Sequence, residues 1–300
     1  MPIFTGSGVA IVTPFDGAGK FNSAVYEKLI DFQVKEGTDA IIACGTTGEA
    51  NTLFKDEHIE VVRQAVAFTK KAGEKYNRKL PVIAGAGGND TALCIEMGRE
   101  LSKAGADALM YVTPYYNKTS QKGLVHHYTA IAAAVDVPIV LYNIPPRTAL
   151  NMLPTTVYEL SKLPNIVGIK EASGDIVQVA EIIERCGDAI AVYSGNDNHI
   201  VPMLSLGGKG VISTIANMLP AELHKMVASY LEGNLQTSVD LQLGILPLTR
   251  CLFDDVSPMP VKAGLNIMGY DVGECRLPLT TIEDSHKEAL KQEMKKYGLI

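Results

Sequence analysis

Lys170 closes the apolar run Ile166–Lys170 (IVGIK), and a lysine at the end of a buried strand must either meet a carboxylate or lose part of its hydration. Lost hydration disfavours the ammonium form, and a neutral amine is the nucleophile that Schiff-base chemistry requires. Gly168, two residues earlier on the same strand face, is expected to leave room below the lysine stem. The competing reading is a structural ion pair with Glu171 or Glu49. Tyr142 and Thr46 close two further runs, and hydroxyls gathered around one lysine can relay protons to and from a carbinolamine. A strand-end tyrosine can equally cover a core rim with its hydroxyl in water. The turn Gly45-Thr-Thr-Gly-Glu49 offers two hydroxyls and glycine-exposed N–H groups, a cradle for a carboxylate. Gly85–Gly88 and Leu206–Gly210 could cradle phosphate, although turn geometry alone explains both. His126 and His127, adjacent on a helix, point about 100° apart and lack an acidic or cysteine partner at ligand spacing, so no metal is expected.

These residues sit at the ends of eight short runs: Gly8–Thr13, Ala40–Cys44, Pro81–Gly85, Ala108–Thr113, Pro138–Asn143, Ile166–Lys170, Ala189–Ser194 and Gly210–Ser213. Longer stretches with three- and four-residue apolar spacing separate them, such as Ser23–Glu36, Lys55–Ala72 and Asp175–Cys186. The runs are apolar throughout rather than alternating, so both faces should be covered, which means a parallel sheet under helices. Eight such units close into an α/β (β/α)8 TIM barrel, whose active site lies at the C-terminal ends of the strands. A doubly wound open sheet would need a dinucleotide fingerprint after its first strand, and TPFDGAGK is not one. From about Pro220 the pattern turns helical, with Glu222–Leu231, Leu235–Leu252, Pro260–Met268 and Ile282–Tyr297 as candidates. The expected organisation is a barrel over 1–220 and a helical region over 221–300 packed on it, since no Pro/Gly/Ser linker intervenes.

The 300 residues are 47% hydrophobic and 20% charged, the balance of an ordinary folded chain. Lys and Arg number 27 against 33 Asp and Glu, a net charge of −6 with the cations scattered, so nucleic acid is not an expected partner. The five cysteines form no CxxC motif and are read as reduced thiols of a cytoplasmic protein. The opening MPIFTGSGVAIVTPF carries no basic-then-apolar leader, and no stretch reaches the ~18 apolar residues of a membrane span.

Six motifs in order, GTTGE (45–49), YVTPYYN (111–117), LYNIPPRT (141–148), GIKEASG (168–174), SGND (194–197) and GGKGVIS (207–213), resemble the dihydrodipicolinate synthase family. These are pyruvate-dependent class I aldolases of the N-acetylneuraminate lyase type. The likeness runs on to VSPMPVKAGLNIMG (256–269) and so covers nearly the whole chain. It implies that pyruvate condenses with L-aspartate 4-semialdehyde on a lysine Schiff base to give 4-hydroxy-tetrahydrodipicolinate, toward lysine and diaminopimelate, without metal or organic cofactor. Lys170 matches the Schiff-base lysine, Tyr142 the proton-shuttling tyrosine, Thr46 the relay threonine, and Tyr116 the tyrosine that reaches a neighbouring subunit's site. Thr47 and the Thr46 backbone match the pyruvate-carboxylate holders, Gly195 and Ile212 line the same pocket, and Arg147 matches the arginine that takes the aldehyde's carboxylate. The resemblance also implies a homo-oligomer, expected as a dimer of dimers. The alternative substrate is a sugar aldehyde, as in N-acetylneuraminate lyase or a 2-keto-3-deoxy-sugar-acid aldolase. Arg147 favours a small carboxylated aldehyde. In lysine-sensitive members the inhibitor binds at the dimer interface. His58, Asn89 and Tyr115 match its contacts, whereas Lys55 and Leu93 stand where histidine and glutamate are needed, so feedback inhibition is expected to be weak or absent.

Overall fold

The computed structural model describes residues 2–300. Eight parallel strands close a barrel in chain order: β1 (Gly6–Ala10), β2 (Ala40–Ala43), β3 (Val82–Gly85), β4 (Ala108–Val112), β5 (Ile139–Asn143), β6 (Ile166–Glu171), β7 (Ala191–Ser194) and β8 (Gly210–Ser213). The first strand lies two to three residues earlier than its hydrophobic run predicts, because its register is set by β8, with Gly6 opposite Gly210 and Gly8 opposite Ile212. Val12 and Thr13 have left the ladder: the Val12 N–H donates to Asn217 Oδ1 (3.1 Å) and the Thr13 hydroxyl to the Gly48 carbonyl (2.7 Å).

Every strand buries both faces, which is why the runs do not alternate. One set of side chains, including Ile41, Ala84, Leu109, Leu141 and Ile169, packs outward under the helices. The other, including Ile42, Ile83, Met110, Val140 and Tyr193, fills the barrel. Phe4 stacks on Tyr193 with ring centroids 4.4 Å apart, and the Tyr193 hydroxyl donates to the Phe4 carbonyl (2.7 Å).

The helices are α1 (Ser23–Lys35), α2 (Lys55–Tyr76), α3 (Thr91–Lys103), α4 (Gln121–Ala132), the single turn α5 (Pro145–Thr148), α6 (Pro154–Leu160), α7 (Ile176–Cys186), α8 (Ile200–Ser205) and α9 (Pro220–Leu231). Four of them, α1, α3, α4 and α7, start on a side-chain cap. Asn22 accepts from the Val25 N–H, Asp90 from Leu93, Ser120 from Gly123, and Asp175 from both Val177 and Gln178. Three helices follow, α10 (Leu235–Phe253), α11 (Met259–Ile267) and α12 (Asp284–Lys296), each within two residues of its predicted bounds; they pack on one another, and α10 packs on α8 and α9. The division expected between residues 220 and 221 falls inside the first turn of α9 (Pro220–Leu231), a helix that packs on β1 of the barrel. Among the described residues no helix is long and apolar enough to cross a membrane.

Candidate active site

Strand pairing brings the chemistry together. Tyr142 of β5 is in register with Lys170 of β6, and Lys170 with Tyr193 of β7, so in-register residues on neighbouring strands share the inward face. Lys170 Nζ lies 4.5 Å from the centre of the Tyr142 ring. The lysine is 6% exposed, and neither carboxylate proposed as its ion-pair partner holds it. Glu171 instead accepts from Asn143 Nδ2 (3.0 Å) and the Ser173 N–H (2.7 Å), while Glu49 pairs with Lys262 Nζ (2.8 Å). Burial dominates the amine and lowers its pKa from 10.5 to about 8, with nearby Arg147 pushing the same way and Asp197 opposing. Burial pushes the Tyr142 phenol up to about 12 against the pull of Arg147 and the Thr46 hydroxyl.

The expected room below Gly168 is absent. A Cβ there would come within 3.2 Å of the Tyr193 ring and 3.0 Å of the Ala191 carbonyl, so the lysine stem does not occupy that space. Gly195 performs the role instead, since a Cβ on it would lie 3.1 Å from Lys170 Cε and 2.6 Å from Ala172 Cβ. Spacing along the chain does not show this approach, because Gly195 and Lys170 meet only across the β6–β7 pair.

A cavity of about 320 Å3 opens at the C-terminal ends of the strands, with Thr46, Tyr142 and Arg147 on its wall beside Tyr115, Met110 and Ser257. Arg147 projects from α5, the turn that follows β5, and its Nη2 donates to the Ser257 carbonyl (3.1 Å). Lys170, Thr47, Gly195 and Ile212 are not on that wall; Lys170 meets it through the Tyr142 ring. Thr47 is buried, with its hydroxyl 3.4 Å from that of Thr214, and Ile212 is an inward residue of β8. Tyr116 is not brought to the site of its own chain. It is 93% exposed, with a left-handed φ of 66° that a bulky residue seldom adopts.

Asp197 escapes a reading based on strand ends. Its Oδ2 accepts the N–H groups of Thr214 (3.2 Å) and Ile215 (3.0 Å), its Oδ1 has no hydrogen-bond partner among the described residues, and burial raises its pKa. It links the Lys170 environment to the segment that carries Thr214. The SGND motif contains it, but only the fold shows which way it faces.

A closed eight-stranded barrel with a desolvated lysine at the C-terminal end of its sixth strand is the architecture of Schiff-base-forming class I aldolases. The profile of the dihydrodipicolinate synthetase family matches residues 3–297, and the chain belongs to that family. It is 53% identical to the 4-hydroxy-tetrahydrodipicolinate synthase of Thermoanaerobacter sp. (strain X514), over 100% of this chain and 99% of the relative. A crystal structure of the chloride-inhibited Acinetobacter baumannii enzyme complexed with pyruvate superposes with a TM-score of 0.94 at 39% identity, covering 99% of both chains. The Cyanidioschyzon merolae enzyme with lysine bound gives a TM-score of 0.94 at 39% identity, covering 100% of both. These matches carry the synthase reading and give none to the sugar-aldehyde alternative.

Proposed function

We propose that Lys170, Tyr142, Thr46 and Tyr116, with Thr47, Arg147, Gly195 and Ile212 around them, carry out this chain's condensation of pyruvate with L-aspartate 4-semialdehyde. The chain is a lyase of the family's type, and its product is 4-hydroxy-tetrahydrodipicolinate. The observation that carries the residue assignment is the buried Lys170, held by neither Glu171 nor Glu49, with its lowered pKa beside Tyr142.

The neutral amine attacks pyruvate C2, and the carbinolamine loses water with protons passed through Tyr142 and Thr46. The resulting iminium withdraws electrons from the methyl group, which gives up a proton to form an enamine. The enamine carbon adds to the aldehyde of the second substrate, whose carboxylate Arg147 holds. The substrate's own amine then attacks C2, releases Lys170 and closes the ring.

Tyr116 belongs to a second copy's site in this proposal. Its exposure, together with exposed Phe54 (84%) and Leu93 (64%), supports a dimer, and a pair of dimers completes the homotetramer. The five unpaired thiols support a cytoplasmic location.

Borohydride added with pyruvate tests the centre: one reduced pyruvyl group should appear on Lys170 and activity should vanish, while Lys170→Ala takes up none. Labelling on another lysine would overturn the assignment.

A further inference from the structure

We infer that Lys262 and Arg276 are positioning residues for the reaction, clasping the segment 274–276 onto the Gly45–Glu49 turn so that Thr46 and Thr47 are held where the pyruvate carboxylate binds. The inference rests on the proposed role of those two threonines.

Lys262 is the cation in the otherwise uncharged helix α11 (MPVKAGLNI) and is 1% exposed. A buried ammonium is retained only where it is fully paired. Its Nζ donates to Glu49 Oε1 (2.8 Å) and to the Glu274 carbonyl (2.8 Å), and lies 4.3 Å from the centre of the Phe15 ring. Arg276 approaches the same ring, with Cζ 4.1 Å from the centre. Its guanidinium forms a two-pronged pair with Glu57 (2.6 Å each) and donates to the carbonyls of Gly19 and Thr52. The Arg276 N–H donates to Glu49 Oε2 (2.9 Å), so the two oxygens of one carboxylate are tied to α11 and to segment 274–276.

The anchored residue is the end of the substrate turn. Glu49 is buried and adopts a left-handed φ of 54°, a conformation that a glutamate keeps only when its surroundings impose it. Its N–H donates to the Thr46 carbonyl (3.1 Å), and the neighbouring Gly48 carbonyl accepts from Thr13. Any shift of Glu49 is therefore passed to Thr46 and Thr47. Well-packed apolar residues can replace a buried ion pair without loss of stability. What they cannot replace is the directional hold on both carboxylate oxygens.

The double variant Glu49→Gln/Lys262→Met tests this without leaving a charge unpaired. Borohydride trapping against pyruvate concentration should give a half-saturation raised at least about tenfold, with the KM for aspartate semialdehyde within about threefold of the wild type, because Arg147 stands on a different element. A role in stability alone would lower the melting temperature and leave the half-saturation within about twofold of the wild type, and that result overturns the inference. If the double variant does not fold, Arg276→Gln decides: at least about a threefold rise is expected, and an unchanged value overturns the inference. Thr47→Ala separates the two layers of the argument. If it leaves the half-saturation unmoved, the assignment of the turn to the carboxylate has failed; if it raises the value while the clasp variants do not, only the clasp has failed.

Discussion

The acid limb of imine formation should report Lys170 directly. An amine with the ordinary pKa of 10.5 is neutral in about 3 molecules per 10,000 at pH 7, whereas one at about 8 is neutral in roughly one of eleven. The net of burial, Asp197 and Arg147 therefore gives a nucleophilic fraction on the order of a few hundred-fold larger at that pH. With pyruvate below saturation, the trapping rate should rise about tenfold per pH unit below pH ~8 and level off above it. Two substitutions fix the sign. Asp197 favours the protonated amine, so Asp197→Asn moves the limb to lower pH; Arg147 disfavours it, so Arg147→Ala moves the limb to higher pH. The assay is rapid-quench borohydride trapping between pH 6 and 10. A rate that keeps climbing to pH 10 would mean a fully solvated lysine and refute the desolvation argument. Shifts of the opposite sign in the two variants would refute the electrostatic part alone.

In steady-state assays, Arg147→Ala should cost about 10–150-fold in kcat/KM, mainly through KM for aspartate semialdehyde, the scale of one lost charged hydrogen bond, while pyruvate trapping stays complete. Loss of trapping would give Arg147 another task. Gly195→Ala places a methyl 3.1 Å from Lys170 Cε and 2.6 Å from Ala172 Cβ, so trapping should slow sharply and stability should drop by about 1–3 kcal/mol; wild-type trapping would show that the close approach is dispensable. Light scattering with a parallel assay should find a dimer or larger, and full activity in a monomer would sink the Tyr116 assignment. Lysine should inhibit weakly or not at all, because the carboxylates of Glu49 and Glu57 are committed to Lys262 and Arg276, and Glu96 pairs with Lys55. Half-inhibition at submillimolar lysine, with both substrates near KM, would show that another group completes the site.

Local pattern was enough for the strand count, the helices after β8 and the polar strand ends, because period, capping and burial on both faces are written in neighbouring residues. Lys170 stood out for the same reason: a charge closing an apolar run is conspicuous wherever the strand goes. Lys262 carried the same signal inside an apolar helix, and only its unknown partner kept it unread. What local pattern could not supply was any contact between residues far apart in the chain. The Lys170–Gly195 approach depends on the β6–β7 register, the shift of β1 on closure against β8, and the Glu49–Lys262 pair on a separation of 213 positions. Tyr193 illustrates the limit, since it fills the space beside Gly168 that the strand pattern assigns to the lysine stem. The sequence by itself determined which residues are candidates for the chemistry, through their type and their place on an apolar strand. Only barrel closure decided which of them touch and how far each is desolvated, because burial and Coulomb interactions depend on distance in space rather than along the chain.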